Sequence, residues 1–165
     1  MKLLTLVRHA KSSWDYEDLS DFERPLNARG RRDAPLMAKR VRRLIGTPQR
    51  LVSSPALRAI TTAQVFARQL DVDPDDIVLK PRIYDARPAT LLAVVQSLDA
   101  ADHHVMLFGH NPGLSELAHQ LARCPFDDLP TCGVAHLSLD IQHWRDAAAH
   151  CGELLRYTYP KESST

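Results

Sequence analysis

A chain of 165 residues is long enough to bury one sizeable core and short for two domains. Hydrophobic residues at 44% and charged residues at 25% describe an ordinary globular protein, and a formal net charge of +1 offers no bulk attraction to nucleic acid or an anionic membrane. Cys124, Cys132 and Cys151 are odd in number and lack CxxC spacing, which argues against a disulfide scaffold or zinc site and fits a reducing cytoplasm.

Leu3 to Val7 is a short apolar run ended by charge, the pattern of a buried strand. The stretch before Arg8 is too short for a signal-peptide core, and nothing approaches the ~20 apolar residues of a membrane span, so no membrane association is expected. Residues 9 to 26 are polar and read as a long loop. From Asn27 to Ile45, apolar residues (Ala34, Met37, Ala38, Val41, Leu44, Ile45) recur at three- and four-residue steps and predict a helix. Its start is open: either it begins at Asn27 and kinks at Pro35, or Asp33 caps a helix whose second residue is Pro35. The basic run Arg29-Gly30-Arg31-Arg32 with Lys39, Arg40, Arg42 and Arg43 reads as the wet face of that helix. A docking surface for an acidic partner is the lesser alternative.

Arg50 to Ser53 is a second short strand, after which Ser54-Pro55 reads as the cap and first residue of a helix carrying Leu57, Ile60, Ala63, Ala67 and Leu70. Ile77 to Lys80 reads as a third strand, Pro81 to Pro88 as a loop and Ala89 to Leu98 as a helix. His104 to Phe108 is a fourth strand, broken by Gly109, and Asn111-Pro112 repeats the capping signal before Leu114, Leu117, Ala118 and Leu121. Period-two alternation after Cys132 (Val134, His136, Ser138), and again from Leu155 to Tyr159, predicts one or two edge strands. The tail 161–165 is expected to be flexible. Strands alternating with helices predict one α/β domain over residues 1–160, a mostly parallel open sheet with helices on both faces.

Ligands of open α/β sheets bind beyond the carboxyl ends of the strands. The first strand runs into Arg8-His9-Ala10-Lys11, the second into Ser53-Ser54-Pro55 and a helix with Arg58 in its first turn, and the fourth into Gly109-His110-Asn111-Pro112-Gly113. If these strands are parallel neighbours, two arginines and two histidines converge beside two helix N-termini. Guanidinium forks and helix N-termini suit phosphate oxygens, so the predicted ligand is a phosphoryl group.

These residues carry a resemblance. Leu6-Val7-Arg8-His9-Ala10 resembles the RHG signature of the histidine phosphatase superfamily, with Ala10 in place of the usual glycine. Ser53 to Ala59, followed by Thr62-Ala63, is similar to that superfamily's second-arginine motif, and Gly109 to Pro112 to its second-histidine motif. RHAKSSW (Arg8 to Trp14) and Arg24-Pro25-Leu26 followed by Gly30 look like the SixA-like phosphohistidine phosphatases. The resemblance covers about residues 1 to 125. It implies a phosphoglycerate mutase-like fold and a phosphatase with His9 as nucleophile and Arg8, Arg58 and His110 around the phosphoryl group. No glutamate stands where many members place their proton donor. The nearest carboxylate is Asp85.

Each candidate has a plainer reading. His9 could be a surface histidine at a strand end, Arg58 a solvated helix residue and His110 a structural one, but three motifs in order favour the site. Arg24 either joins the site or pairs with Asp21 or Glu23, and Lys11 is a similar substrate-binding candidate. Asp85 reads more simply as a solvated loop carboxylate. His103, His104 and His119 lack metal-ligand context and read as structural or exposed. The expected chemistry is ping-pong transfer through a phosphoenzyme, with no cofactor or metal, His110 as an imidazolium and some acceptor fixing the His9 tautomer. A weak acid favours phosphohistidine in a protein, whose imidazole leaves readily, over a small sugar or nucleotide phosphate ester. A phosphate-binding module without turnover ranks last.

Overall fold

The computed structural model describes residues 1–162. Six strands form one sheet in the order β3-β2-β4-β1-β5-β6, where β1 is Lys2–Arg8, β2 Arg50–Ser53, β3 Val78–Leu79, β4 His104–Gly109, β5 Val134–Leu139 and β6 Gly152–Thr158. Strands β3, β2, β4 and β1 are mutually parallel, while β5 runs antiparallel to β1 and β6 antiparallel to β5. The sheet is therefore mixed. It remains a single α/β domain with helices on both faces.

Alternation along the strands builds two cores. Leu4, Leu6, Val52, Val105 and Leu107 face one side with α3 (Pro88–Gln96) and α4 (Gly113–Leu121). Val7, Leu51, Met106 and Phe108 face the other with α1 (Ala28–Leu44) and α2 (Leu57–Gln69). Strands buried on both faces read as continuous apolar runs, which is why they were legible.

The structure decides two open alternatives and corrects two expectations. The first helix starts after Asn27, whose side chain accepts from Gly30 N at 2.8 Å, and it runs through Pro35. Asp33 does not cap; it pairs with Arg29 at 3.4 Å. The second helix begins at Leu57 after Ala56, not at Pro55; Ser54 Oγ instead accepts from Ala56 N at 3.2 Å as a turn ahead of it. The wet face of α1 does not include Arg40, which is buried and donates to Tyr159 O at 2.7 Å and Thr158 Oγ1 at 3.2 Å. Finally, of the two C-terminal strands only β6 lies at a sheet edge; β5 lies inside the sheet between β1 and β6. Its His136 is buried, and the Thr5 hydroxyl joins His136 Nδ1 at 2.8 Å to His104 Nε2 at 2.7 Å inside the protein. Of the expected flexible tail, 163–165 lie outside the described residues, while Glu162 accepts from Thr158 Oγ1 at 2.9 Å.

Candidate active site

Register brings the three motifs to one edge. Arg8 on β1 pairs with Gly109 on β4, and Ser53 on β2 pairs with Phe108 on β4. Residues just past these ends, His9, Ser54 and His110, must then be neighbours. The His9 backbone is fixed on both sides, its N–H donating to Gly109 O at 3.2 Å and its carbonyl accepting from Cys132 N at 3.0 Å. The His9 and His110 rings lie 5.1 Å apart between centroids.

The loop from Lys11 to Asn27 closes one wall of the site. Asn27 N donates to Lys11 O at 3.0 Å, and a Cβ on Gly30 would stand 2.1 Å from that same oxygen. Only glycine lets the first turn of α1 lie against this loop. A Cβ on Gly113 would likewise meet Ala86 O at 2.1 Å, so glycine there lets α4 dock on the loop that carries Tyr84.

The tautomer of His9 follows from its surroundings. Its Nδ1 lies 2.7 Å from Ala10 O, and a carbonyl can only accept, so Nδ1 carries the proton and Nε2 keeps its lone pair. Nε2 has no hydrogen-bond partner among the described residues. Burial, and beyond it the nearby His110, Arg58 and Arg8, press the His9 pKa down to about 3 although the Ala10 bond opposes this. His9 is neutral at pH 7. The Ala10 carbonyl is the acceptor that sequence reasoning could not name.

Among the described residues, the buried side-chain polar atoms without a partner are Arg8 Nε, Arg58 Nε and His110 Nδ1. Buried polar groups are normally satisfied, so orphans gathered at one place call for a ligand. Each comes from a different motif. The remaining contacts anchor the same side chains: Arg8 donates to Leu129 O at 3.0 Å, and His110 Nε2 is joined to Ser54 Oγ at 2.8 Å. With the protein's own charges around it, His110 is not the expected imidazolium. Burial first, then the Arg58 cation, lower its pKa to about 4. A bound dianion would oppose that shift.

Sequence reasoning missed Asp21 as a site residue. Its backbone carbonyl and carboxylate accept from Arg58 at 2.6 and 2.9 Å, and the carboxylate also accepts from Tyr84 Oη at 2.6 Å and Arg24 Nε at 3.1 Å. The Tyr84 bond and then Arg58 hold the Asp21 pKa down to about 2 against partial burial. Tyr84 was also missed; its ring stands edge-on to His110 at 5.6 Å between centroids. Arg24 pairs with Asp21, as its plainer reading allowed, but it is buried. It also donates to Ser12 Oγ at 2.8 Å and lies 3.5 Å over the Trp14 ring. Asp85 is exposed at φ 52°, and its side chain makes no hydrogen bond among the described residues; from this loop it is Tyr84 that reaches the site. The Lys11 side chain is half-buried and likewise makes no such bond. No three His, Cys, Asp or Glu side chains gather as a metal site among the described residues.

A parallel-stranded edge presenting an unprotonated imidazole among two guanidinium groups is the arrangement of a histidine-based phosphatase. Comparison with known proteins agrees. The profile of the histidine phosphatase superfamily (branch 1) matches residues 4–85, and the chain belongs to that superfamily and is a phosphatase. An uncharacterised chloroplastic protein of Arabidopsis thaliana is 32% identical over 90% of this chain and 72% of its own. An Agrobacterium tumefaciens structure assigned as the phosphohistidine phosphatase SixA is 27% identical, with TM-score 0.80 over 96% of this chain and 99% of that one. A mycobacterial glucosyl-3-phosphoglycerate phosphatase shares the fold at 16% identity and TM-score 0.70, over 93% of this chain and 97% of its own. No helix among the described residues is long and apolar enough to cross a membrane.

Proposed function

We propose that this phosphatase removes phosphate from phosphohistidine in a protein, through a phosphoenzyme on His9. The carrying observation is the trio of unpartnered buried groups, Arg8 Nε, Arg58 Nε and His110 Nδ1, set around a neutral His9 whose Nε2 is free. The His9 Nε2 lone pair attacks phosphorus in line while the bond from phosphorus to the substrate nitrogen breaks. As His9 becomes cationic, its Nδ1–H keeps donating to Ala10 O. Arg8 and Arg58 hold the phosphoryl oxygens as charge spreads over them, with His110 as a third partner, so the chemistry calls on no metal ion. The substrate imidazole leaves neutral once its other nitrogen has taken a proton from water. A second water then hydrolyses the phosphoenzyme, releasing inorganic phosphate and restoring His9.

The acid favours this substrate class over an alkyl phosphate. An alkoxide needs a proton as it leaves, yet Asp85 is unengaged, Asp21 is held ionised and the Tyr84 hydroxyl donates to Asp21. Phosphohistidine takes its proton from water on the nitrogen away from phosphorus, so it needs no acid in the site. The free Cys124, Cys132 and Cys151 fit action in a reducing cytoplasm. The test is a substrate panel: a histidine-phosphorylated protein should be hydrolysed far faster than glycerol, sugar or nucleotide monophosphates. Faster turnover of a small ester would replace this reading with that of a small-molecule phosphomonoesterase.

A further inference from the structure

An apolar pocket of about 460 Å³ opens beside the site. Tyr16, Leu19 and Phe22 of the long loop form one wall, and Pro55, Leu57 and Ile60 around the start of α2 form the other. Its one charged lining residue, Glu23, is occupied by Ser20 Oγ at 2.8 Å. Tyr16, Phe22 and Leu57 remain 57%, 40% and 42% exposed, so this apolar surface faces water rather than the core. Exposed apolar surface gathered in a concave patch is a recognition feature.

Residues that line the pocket adjoin, along the chain, those that build the phosphoryl site. Phe22 follows Asp21, which holds Arg58; Pro55 follows Ser54, which is bonded to His110; Leu57 precedes Arg58 itself. Ring contacts lead the same way, from His9 to His110, to Tyr84 and then to Phe22 at 5.1 Å. This adjacency would let a group whose phosphorus sits at His9 place its neighbouring atoms along this wall. Sugars carry hydroxyls there and gain little from an apolar pocket. A protein chain carries side chains. The exposed Asp15, Glu17 and Asp18 on the outer stretch of the same loop repel a second anionic group, which further disfavours a phosphorylated metabolite.

We infer that this pocket is a specificity site that seats an apolar side chain of the phosphoprotein next to its phosphorylated residue. The inference rests on the phosphohistidine reading and adds the sequence context that the enzyme selects. Occupancy of the pocket lowers KM without changing the chemistry at His9.

The test uses the full chain and three substrates: phosphoramidate, and two peptides each phosphorylated on one histidine, of equal charge, with leucine or serine at the flanking positions. The wild-type protein should prefer the leucine peptide by about tenfold or more in kcat/KM, carried by KM, as one apolar group in a pocket confers. In the double variant Leu57→Ser, Ile60→Ser the preference should vanish while phosphoramidate hydrolysis stays within about twofold. Should the double variant lose phosphoramidate hydrolysis, the single change at exposed Leu57 decides, and it should reduce the preference. Equal wild-type rates on both peptides, or a preference that survives the Leu57 change, overturn the pocket assignment alone. Hydrolysis of phosphoramidate but of neither peptide overturns the phosphohistidine reading and the pocket with it.

Discussion

The Nδ1–H of His9 donates to the carbonyl oxygen of its own neighbour, Ala10, over 2.7 Å. That bond turns Nε2 outward as the nucleophile and needs no carboxylate partner. His9→Ala should abolish turnover while the thermal unfolding midpoint stays near wild type, since the ring fills no core position. Denatured wild-type enzyme trapped during turnover should carry phosphate on His9 that is labile in acid and stable in base. A label on any other residue would sink this mechanism.

Arg58 and His110 each keep one buried polar atom without a partner. Arg58→Ala and His110→Ala should each lower kcat/KM by roughly 10²–10³, the usual loss when one charge-stabilising donor is removed. Vanadate should inhibit wild type competitively and both variants more weakly. Unchanged vanadate affinity in either variant would remove that residue from the phosphoryl site.

Asp21 holds Arg58 with both its carbonyl and its carboxylate, and ties in Tyr84 and Arg24. Asp21→Asn keeps the size and the backbone bond but removes the charge. The expected loss is about tenfold in kcat/KM, on the order of 1.4 kcal/mol in barrier. It should fall on kcat more than on KM if Asp21 orients Arg58 for the transition state. Tyr84→Phe should act in the same direction and less, because Arg58 and Arg24 still hold the carboxylate. No change in Asp21→Asn would make the cluster merely structural.

Gly30 and Lys11 make a stability prediction. Gly30→Ala forces a Cβ to within 2.1 Å of Lys11 O unless the loop moves off α1. Backbone cannot yield as a flexible side chain can, so a loss of about 1–3 kcal/mol is expected, read from urea midpoints. Activity should fall too, since this loop carries Asp21.

The contrast between His110 and Asp21 explains what the sequence could and could not tell. His110, His9 and Arg58 stand at the ends of apolar strands or just inside a helix, and local periodicity places such ends. Asp21 reaches Arg58 across 37 positions and Tyr84 across 63, inside a loop without periodicity. Nothing local marks it beyond an acidic residue three places before Arg24. The interior position of β5 was hidden for a related reason. Whether His136 faces water or Thr5 depends on a partner 131 positions away. Competing caps left the start of α1 open, and the close approach of Lys11 to Gly30, invisible locally, accompanies the choice of Asn27.

Buried neutral histidines predict how stability depends on pH. Burial lowers the pKa of His104 to about 4, with His136 and His103 adding to it; His110 lies at about 4 and His9 at about 3, and His136 is lowered by burial and Arg156. An unfolded histidine binds its proton near pH 6.5. Above that pH neither state is protonated and these groups contribute no pH dependence. Below it the unfolded chain takes up protons that the folded protein refuses, so stability falls with pH until the folded pKa values are reached. Each such histidine adds a slope of up to about 1.4 kcal/mol per pH unit. Asp21, held at about 2, acts in a lower window: its contribution is present above the ordinary carboxylate pKa and is lost as pH drops toward 2. Urea midpoints should therefore be level from pH 8 to 7 and fall steeply from pH 6 to 4.5. His104→Gln should be less stable at pH 7.5, because its bond to Thr5 is disturbed, yet show a shallower fall on acidification. A wild-type midpoint that holds constant from pH 7 to 4.5 would mean that these imidazoles accept protons in the folded state, and that His9 is not held neutral by its burial.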